Sequence, residues 1–167
     1  ETTGAVFDTL AQIHLINGRY DRAADCLGRA SDAYGAYGRQ TSRWYEWSVR
    51  VLSARLALQR DSLDQAVALA DEILRAGAPP FDALQAMLIA AEALTLAGRL
   101  SEAGPRLASA ADVLDPQVAP AAWGEFLRLR GEWLAHGASV WSRGDMLGLT
   151  APQGSFTQLG ITARPGV

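Results

Sequence analysis

The stretch NGRYDRAADCLGRA, residues 17–30, holds the pattern that decides the fold. Its Asn-Gly pair is a typical end of one helix, and the small apolar residues that follow recur at helical spacing. No set of acid, base and nucleophile stands beside them. The stretch therefore predicts a structural turn between two helices rather than part of an active site, and its meaning depends on whether it recurs.

The turn recurs twice along the chain, because residues 16–30, 58–73 and 96–110 superpose when their turns are aligned. Each has a turn residue, a large apolar residue two positions later and an alanine five positions after the turn. Alanine is expected where the helices of a hairpin approach closely, and a hairpin that cannot bury its own face is expected to stack on neighbours. The three turn residues are Gly18, Asp61 and Gly98, the apolar residues are Tyr20, Leu63 and Leu100, and the alanines are Ala23, Ala66 and Ala103.

The rest of the chain follows the same plan. Helical periodicity extends from Ala5 to about Ala135, with almost no strand-like alternation. The sequence predicts an all-α fold of about seven helices in one repeat domain over 4–137. Its parts are three antiparallel hairpins at about 4–37, 41–76 and 80–115 and a capping helix at 119–137. Residues 138–167, with several glycines and prolines, are predicted to form an irregular tail that covers an exposed end of the array or lies in a groove.

The composition narrows the class of protein. A chain of 167 residues with a 49% hydrophobic share is long and apolar enough to bury a core. The net charge is −3 and every basic residue is an arginine, which gives no electrostatic surface for nucleic acid. The sequence contains neither an apolar run long enough to span a membrane nor a signal-peptide pattern. We therefore expect a segment of a longer cytoplasmic protein.

The reactive residue types form no catalytic set. The two histidines, His14 and His136, lie far apart, and His14 occupies a packing position. Cys26 lies on an apolar helix face and is expected to be a small buried hydrophobe. Neither a metal site, nor a phosphate-binding glycine pattern, nor a pair of carboxylates in one cleft is indicated. We therefore expect a protein that is not an enzyme and holds no cofactor.

These turns and alanines resemble the tetratricopeptide repeat, a helix–turn–helix unit of about 34 residues. The second unit is weaker, since Arg50 and Ser53 stand where large apolar residues are expected, and the spacing of the turn residues is 43 and 37 positions. The first unit matches through Phe7, Leu10, Ala11, His14, Gly18, Tyr20, Ala23, Leu27 and Ala30, the second through Ala54, Leu56, Leu63 and Ala66, and the third through Ala91, Leu94, Gly98, Leu100, Ala103, Leu107 and Ala110. Long repeats of this kind are similar to those of bacterial signalling and transcription regulators.

The resemblance implies a right-handed superhelix that binds a peptide or protein in its concave groove. In this sequence the groove positions are Asp8, Gln12, Ile16, Leu52, Arg55, Gln59, Gln85, Ile89, Glu92 and Leu96. The polar residues among them would hold the partner's backbone, and the apolar ones would take its side chains. One subclass of the family binds a C-terminal carboxylate with lysine, arginine and asparagine side chains. That set is missing here, so a chaperone-tail ligand is not expected.

A cluster of aromatic residues leaves alternatives open. Trp44 and Trp47 share a helix face, and the sequence predicts that they fill the junction between the first and second hairpins or form a binding hot spot. A small-molecule sensor pocket lined by Trp44, Trp47 and Arg55 is one alternative function. Another is an architectural segment that makes a regulator dimerise. Trp123 and Trp133 are expected in the core or cap.

Overall fold

The computed structural model describes residues 2–36 and 43–146, with side chains described for 3–36 and 46–137. These residues form seven α-helices and no strand, as predicted. The helices are α1 Thr2–Ile16, α2 Tyr20–Ala36, α3 Arg43–Gln59, α4 Leu63–Arg75, α5 Pro80–Leu96, α6 Leu100–Val113 and α7 Pro120–Met146.

The three turn residues have the same backbone geometry. Their φ angles are 67° at Gly18, 59° at Asp61 and 73° at Gly98, in the left-handed region that glycine adopts without strain. In the third turn the Gly98 N–H donates to the Thr95 carbonyl at 3.0 Å, and the next N–H in the chain, that of Arg99, donates to the Leu94 carbonyl at 2.8 Å. The other two turns repeat this pair of bonds, which satisfies carbonyls in the last turn of α1, α3 and α5. The predicted equivalence of the turns is confirmed.

The recurring alanines lie in the interior of the array. Ala23, Ala66 and Ala103 are fully buried, as close packing of the helices requires. A second set of buried alanines, seven positions before each turn residue, lies on the preceding helix: Ala11, Ala54 and Ala91. Small side chains on both helices of a hairpin let the backbones approach, and larger ones would force them apart.

Three apolar clusters divide the core, and each joins a hairpin to the next helix. The first cluster lies among α1, α2 and α3, the second among α3, α4 and α5, and the third among α5, α6 and α7. Helices α3 and α5 therefore each contribute to two clusters. Within α5, Ile89 belongs to the second cluster and Leu88 to the third, and both are fully buried.

The contacts between helices separate two sets. Within the described residues, α1, α3 and α5 each pack against the next odd-numbered helix, whereas even-numbered helices pack their backbones only against odd-numbered ones. A side-chain ion pair between Arg106 and Asp71 joins α6 to α4. We call α1, α3, α5 and α7 the odd-helix layer. Arginines at the turns join successive hairpins on the other side: Arg60 pairs with Asp21 at 2.6 Å and Arg99 with Asp64 at 3.1 Å. Both aspartates are the second residue of their helix, where the helix dipole also favours a negative charge.

The last helix is longer than the sequence predicted. α7 continues to Met146, so residues 138–146, expected in the irregular tail, are helical. Gly137, where the prediction ended the helix, costs a helix only about 1 kcal/mol relative to alanine, and no proline follows before Pro152. The remainder of the predicted tail, 147–167, lies outside the described residues.

Candidate binding surface

The predicted groove residues fall on the odd-helix layer at recurring positions relative to the turns. Gln12, Arg55 and Glu92 each stand six positions before a turn residue. Ile16, Gln59 and Leu96 each stand two positions before one. Because α1, α3 and α5 contact one another in order, each set lies across three neighbouring helices. We call Ile16, Gln59 and Leu96 the exposed row.

The exposed row has apolar ends and a polar centre. The side chains of Ile16 and Leu96 are 85% and 54% exposed, although both are large and apolar. Between them, Gln59 is exposed, and its Oε1 accepts a hydrogen bond of 3.3 Å from the Tyr20 hydroxyl. This bond uses the amide oxygen of Gln59, whose two N–H groups remain able to donate. The row can therefore contact two apolar groups of a ligand and donate to a carbonyl between them.

Arg55 connects three helices of the layer. Its guanidinium donates to Gln85 Oε1 on α5 at 2.9 Å and pairs with Glu125 Oε1 on α7 at 3.2 Å. The Arg55 and Glu125 side chains are both partly buried, so the pair is less screened by solvent than a surface pair. Arg55 and Gln85 are thus brought together as a structural link, with their polar atoms engaged inside the protein.

Glu92 is paired in the same way. Arg128 on α7 donates to Glu92 at 3.0 Å and to Glu132 at 2.9 Å. Both arginines of this surface, Arg55 and Arg128, are therefore paired with glutamates and offer no surplus positive charge for a ligand carboxylate. Glu125 and Arg128 were not among the predicted site residues, because α7 was interpreted only as a cap. The sequence did indicate this role, because Trp123, Phe126 and Leu129 form an apolar stripe on α7. Through this stripe α7 packs on α5 and α6 and becomes a further member of the odd-helix layer.

Asp8 lies at the edge of the surface in α1. Its Oδ2 accepts a hydrogen bond of 2.8 Å from the Ser48 hydroxyl on α3, while Oδ1 is buried without a partner among the described residues. Burial raises the pKa of the Asp8 carboxyl above its ordinary value, and the Ser48 hydrogen bond opposes this in part. Gln12, the next residue along the groove, is exposed.

Two apolar positions of the predicted groove face the interior. Ile89 is fully buried in the cluster among α3, α4 and α5, so it is a core residue and not a contact for a partner. Leu52 is partly buried against the cluster among α1, α2 and α3. Both stand nine positions before a turn residue, on the side of the odd-numbered helix that packs against the preceding hairpin. The predicted groove therefore included two residues that pack against the preceding hairpin.

The tryptophans divide between core and hairpin junctions. Trp47 packs on the cluster among α3, α4 and α5, with the Arg50 guanidinium 5.1 Å from its ring centre. This places it between the second and third hairpins, not between the first and second as predicted. Trp47 and Arg55 have different partners, which gives no support to a shared sensor pocket. The side chain of Trp44 lies outside the described residues.

The C-terminal tryptophans are in the core, as expected. Trp123 and Trp133 both pack on the cluster among α5, α6 and α7. The Trp133 Nε1–H donates to the Leu100 carbonyl at 2.9 Å, and the Trp123 ring stacks on Phe126. Cys26 is also buried, as predicted, and His14 is half-buried.

No helix in the described part of the chain combines the length and apolar character needed to cross a membrane. The same residues contain no group of three or more histidine, cysteine, aspartate or glutamate side chains placed to hold a metal ion. Comparison of the chain with protein-family models, with curated proteins and with solved structures finds no match. The candidate site therefore rests on the geometry of the odd-helix layer.

Proposed function

We propose that this protein is a non-enzymatic scaffold of the tetratricopeptide type, which binds a peptide or a segment of a partner protein on its odd-helix layer. The observation that carries the proposal is the exposed row, where two large apolar side chains stand in water on either side of an exposed glutamine. Apolar groups exposed in register across neighbouring helices are typical of interaction surfaces. The proposal includes a right-handed superhelical arrangement of the hairpins.

The chemistry of the surface defines the ligand. Ile16 and Leu96 would bury apolar side chains of the ligand, and the Gln59 amide would donate to a ligand carbonyl. Arg55 and Glu92 are already paired within the protein, so a strongly charged ligand would gain little from them. We therefore propose an extended, nearly neutral peptide with two apolar side chains as the ligand class.

The cellular setting belongs to the same proposal. The long repeats are similar to those of bacterial regulators, in which a helical array carries signals between a partner and an output domain. We propose that this chain is the interaction segment of such a cytoplasmic regulatory protein. A role in assembling the regulator is the second candidate, favoured by an uncovered apolar face on α1 that is described below.

Selection from a library of random displayed peptides tests the binding proposal. Peptides selected on the purified chain should lose at least about tenfold in affinity when Ile16→Asp and Leu96→Asp are combined, because each change removes an apolar contact. Fluorescence anisotropy of a labelled selected peptide gives the affinities. The matched control combines Val113→Asp and Val118→Asp, two exposed valines outside the odd-helix layer.

Either of two results would overturn the proposal. The library could yield no peptide that binds the folded chain, or the selected peptides could bind the control variant and the Ile16/Leu96 variant with equal affinity. Circular dichroism of both variants shows that lost affinity does not reflect unfolding.

A further inference from the structure

Helix α1 carries an apolar face that no described residue covers. Val6, Leu10 and Ile13 are spaced four and three positions apart, so they lie on one side of the helix, and all three are exposed. Thr9 lies on the same side, and its hydroxyl is bonded to the Ala5 carbonyl of its own helix. We call Val6, Thr9, Leu10 and Ile13 the outer face of α1. It is uncharged, and it adjoins the exposed row, since Ile16 stands three positions after Ile13.

The same positions are covered in the later odd-numbered helices. The outer face stands twelve, nine, eight and five positions before the turn residue Gly18. At these positions α5 has Ala86, Ile89, Ala90 and Ala93, all fully buried against α3 and α4. At these positions α3 has Val49, Leu52, Ser53 and Leu56, and the three apolar ones pack with α1 and α2. The register therefore identifies the outer face of α1 as a hairpin-stacking face without its hairpin.

The side chains of this face indicate what would fit on it. The face of α5 is mostly alanine, whereas the face of α3 has two leucines and a valine. The face of α1, with valine, leucine and isoleucine, resembles that of α3 in size. The face of α3 is covered by the α1–α2 hairpin, through Ala11, Leu15, Ala23, Cys26 and Leu27. A hairpin with the same pattern of alanines and larger apolar residues would match the outer face of α1.

We propose that the outer face of α1 is a docking surface for a further helical hairpin, built like α1–α2. A folded second copy of this chain does not offer such a surface, because its own α3 covers α1–α2 and its own α7 covers the α5–α6 hairpin. This hairpin presents an antiparallel helix pair with alanines at the contact and leucines around them. It extends the stack in the same register as the internal hairpins.

An extended form of the full chain tests this assignment. Residues 1–43 are duplicated ahead of residue 1, so the added turn stands 43 positions before Gly18, the same spacing as between Gly18 and Asp61. If the outer face accepts a hairpin, amides of the added segment should be protected from hydrogen exchange at least about a hundredfold relative to an unfolded peptide. The melting temperature of the whole chain should also rise.

A point variant shows whether the outer face itself is responsible. Ile13→Glu in the original copy of α1 should remove most of the added protection, because it places a charge in the contact. The matched control is Leu127→Glu on α7, since Leu127 is 48% exposed and Ile13 is 47% exposed. The control should leave the added segment protected.

Three results would overturn the proposal. The added segment could exchange as an unfolded peptide, or its protection could be the same with and without Ile13→Glu. Sedimentation equilibrium of the unextended chain gives the third: a dimer that Ile13→Glu dissociates would assign the face to a second copy. Failure of the peptide selection described above would leave all three readouts unaffected, so the two proposals are separable.

Discussion

At the scale of single residues, the turns show how one backbone conformation can be met by different side chains. Asp61 is the only non-glycine among the described residues with a positive φ, at 59°. An L-residue in this conformation costs about 1 kcal/mol, and aspartate is among the side chains that tolerate it best. The second hairpin therefore accepts a strained turn where the first and third have glycine.

Replacing Asp61 by glycine should stabilise the protein. We expect Asp61→Gly to raise the free energy of unfolding by about 0.5–1 kcal/mol, because the strain of the left-handed conformation is removed. The reverse change at the third turn, Gly98→Ala, should lower it by about 1 kcal/mol. A Cβ at Gly98 would meet no atom within 4 Å, so its effect would report backbone conformation alone. Urea denaturation measures both, and equal stability of wild type and Asp61→Gly would contradict the prediction.

Asp8 should make stability depend on pH. Because its folded-state pKa is raised above 3.8, the folded state is favoured when the carboxyl is protonated, and this contribution is lost as the pH rises through the raised pKa. Asp8→Asn keeps an oxygen that accepts from Ser48 and removes the charge. At pH 7 the variant should be more stable than wild type by at most about 1 kcal/mol, since the side chain is only half-buried.

The pH profile separates this cause from a packing effect. The difference in unfolding free energy between Asp8→Asn and wild type should vanish below about pH 4, where both side chains are neutral. Thermal denaturation at a series of pH values measures it. A difference that stays constant from pH 3 to pH 7 would show that ionisation of Asp8 is not its source.

At the scale of helices, most of the fold could be predicted from the sequence and part of the site could not. The turns, the buried alanines and seven helices follow from local spacing, since 3.6-residue periodicity and glycine stops act over short distances. Ile89 was predicted to line the groove, but it lies on the side of α5 that packs against α3 and α4. The signal in the sequence was Leu52, which stands at the same distance from its turn as Ile89 and is also apolar. An apolar residue that recurs at one position of the repeat indicates a packing contact. Arg55 pairs with Glu125 of α7, which is far away in the sequence. Such a tertiary contact cannot be predicted from the local spacing of residues.

Trp133 adds a hydrogen bond between α7 and the start of α6 to the apolar contacts of the third cluster. Trp133→Phe removes the hydrogen bond to the Leu100 carbonyl and part of the buried ring, which should cost about 1–3 kcal/mol. The measurement is hydrogen exchange of α7, whose amides should lose protection more than those of α1 and α2. Trp123→Phe, which shortens a ring stacked on Phe126, is the control and should have the smaller effect. Equal losses for the two variants would contradict a special role for the Trp133 hydrogen bond.

At the scale of the whole molecule, stability is expected to pass from hairpin to hairpin through the shared helices. Each apolar cluster contains a hairpin and the next odd-numbered helix, so α5 is the structural link between the second and third clusters. In a linear array, stability is close to a sum of units and of the contacts between neighbours. A defect in a shared helix should therefore affect more of the chain than an equal defect in a terminal hairpin.

Two leucine truncations test this expectation. Leu88→Ala in α5 should lower the free energy of unfolding by about 2–5 kcal/mol, because it leaves a cavity at a fully buried position. Its loss of hydrogen-exchange protection should extend through α3 and α4 as well as α6 and α7, since α5 packs on both sides. Leu27→Ala, a similar truncation in the first cluster, should increase exchange mainly in α1 and α2. If both variants instead reduced protection uniformly along the chain, the molecule would unfold as one cooperative unit. That result would contradict the expectation that the hairpins can unfold separately.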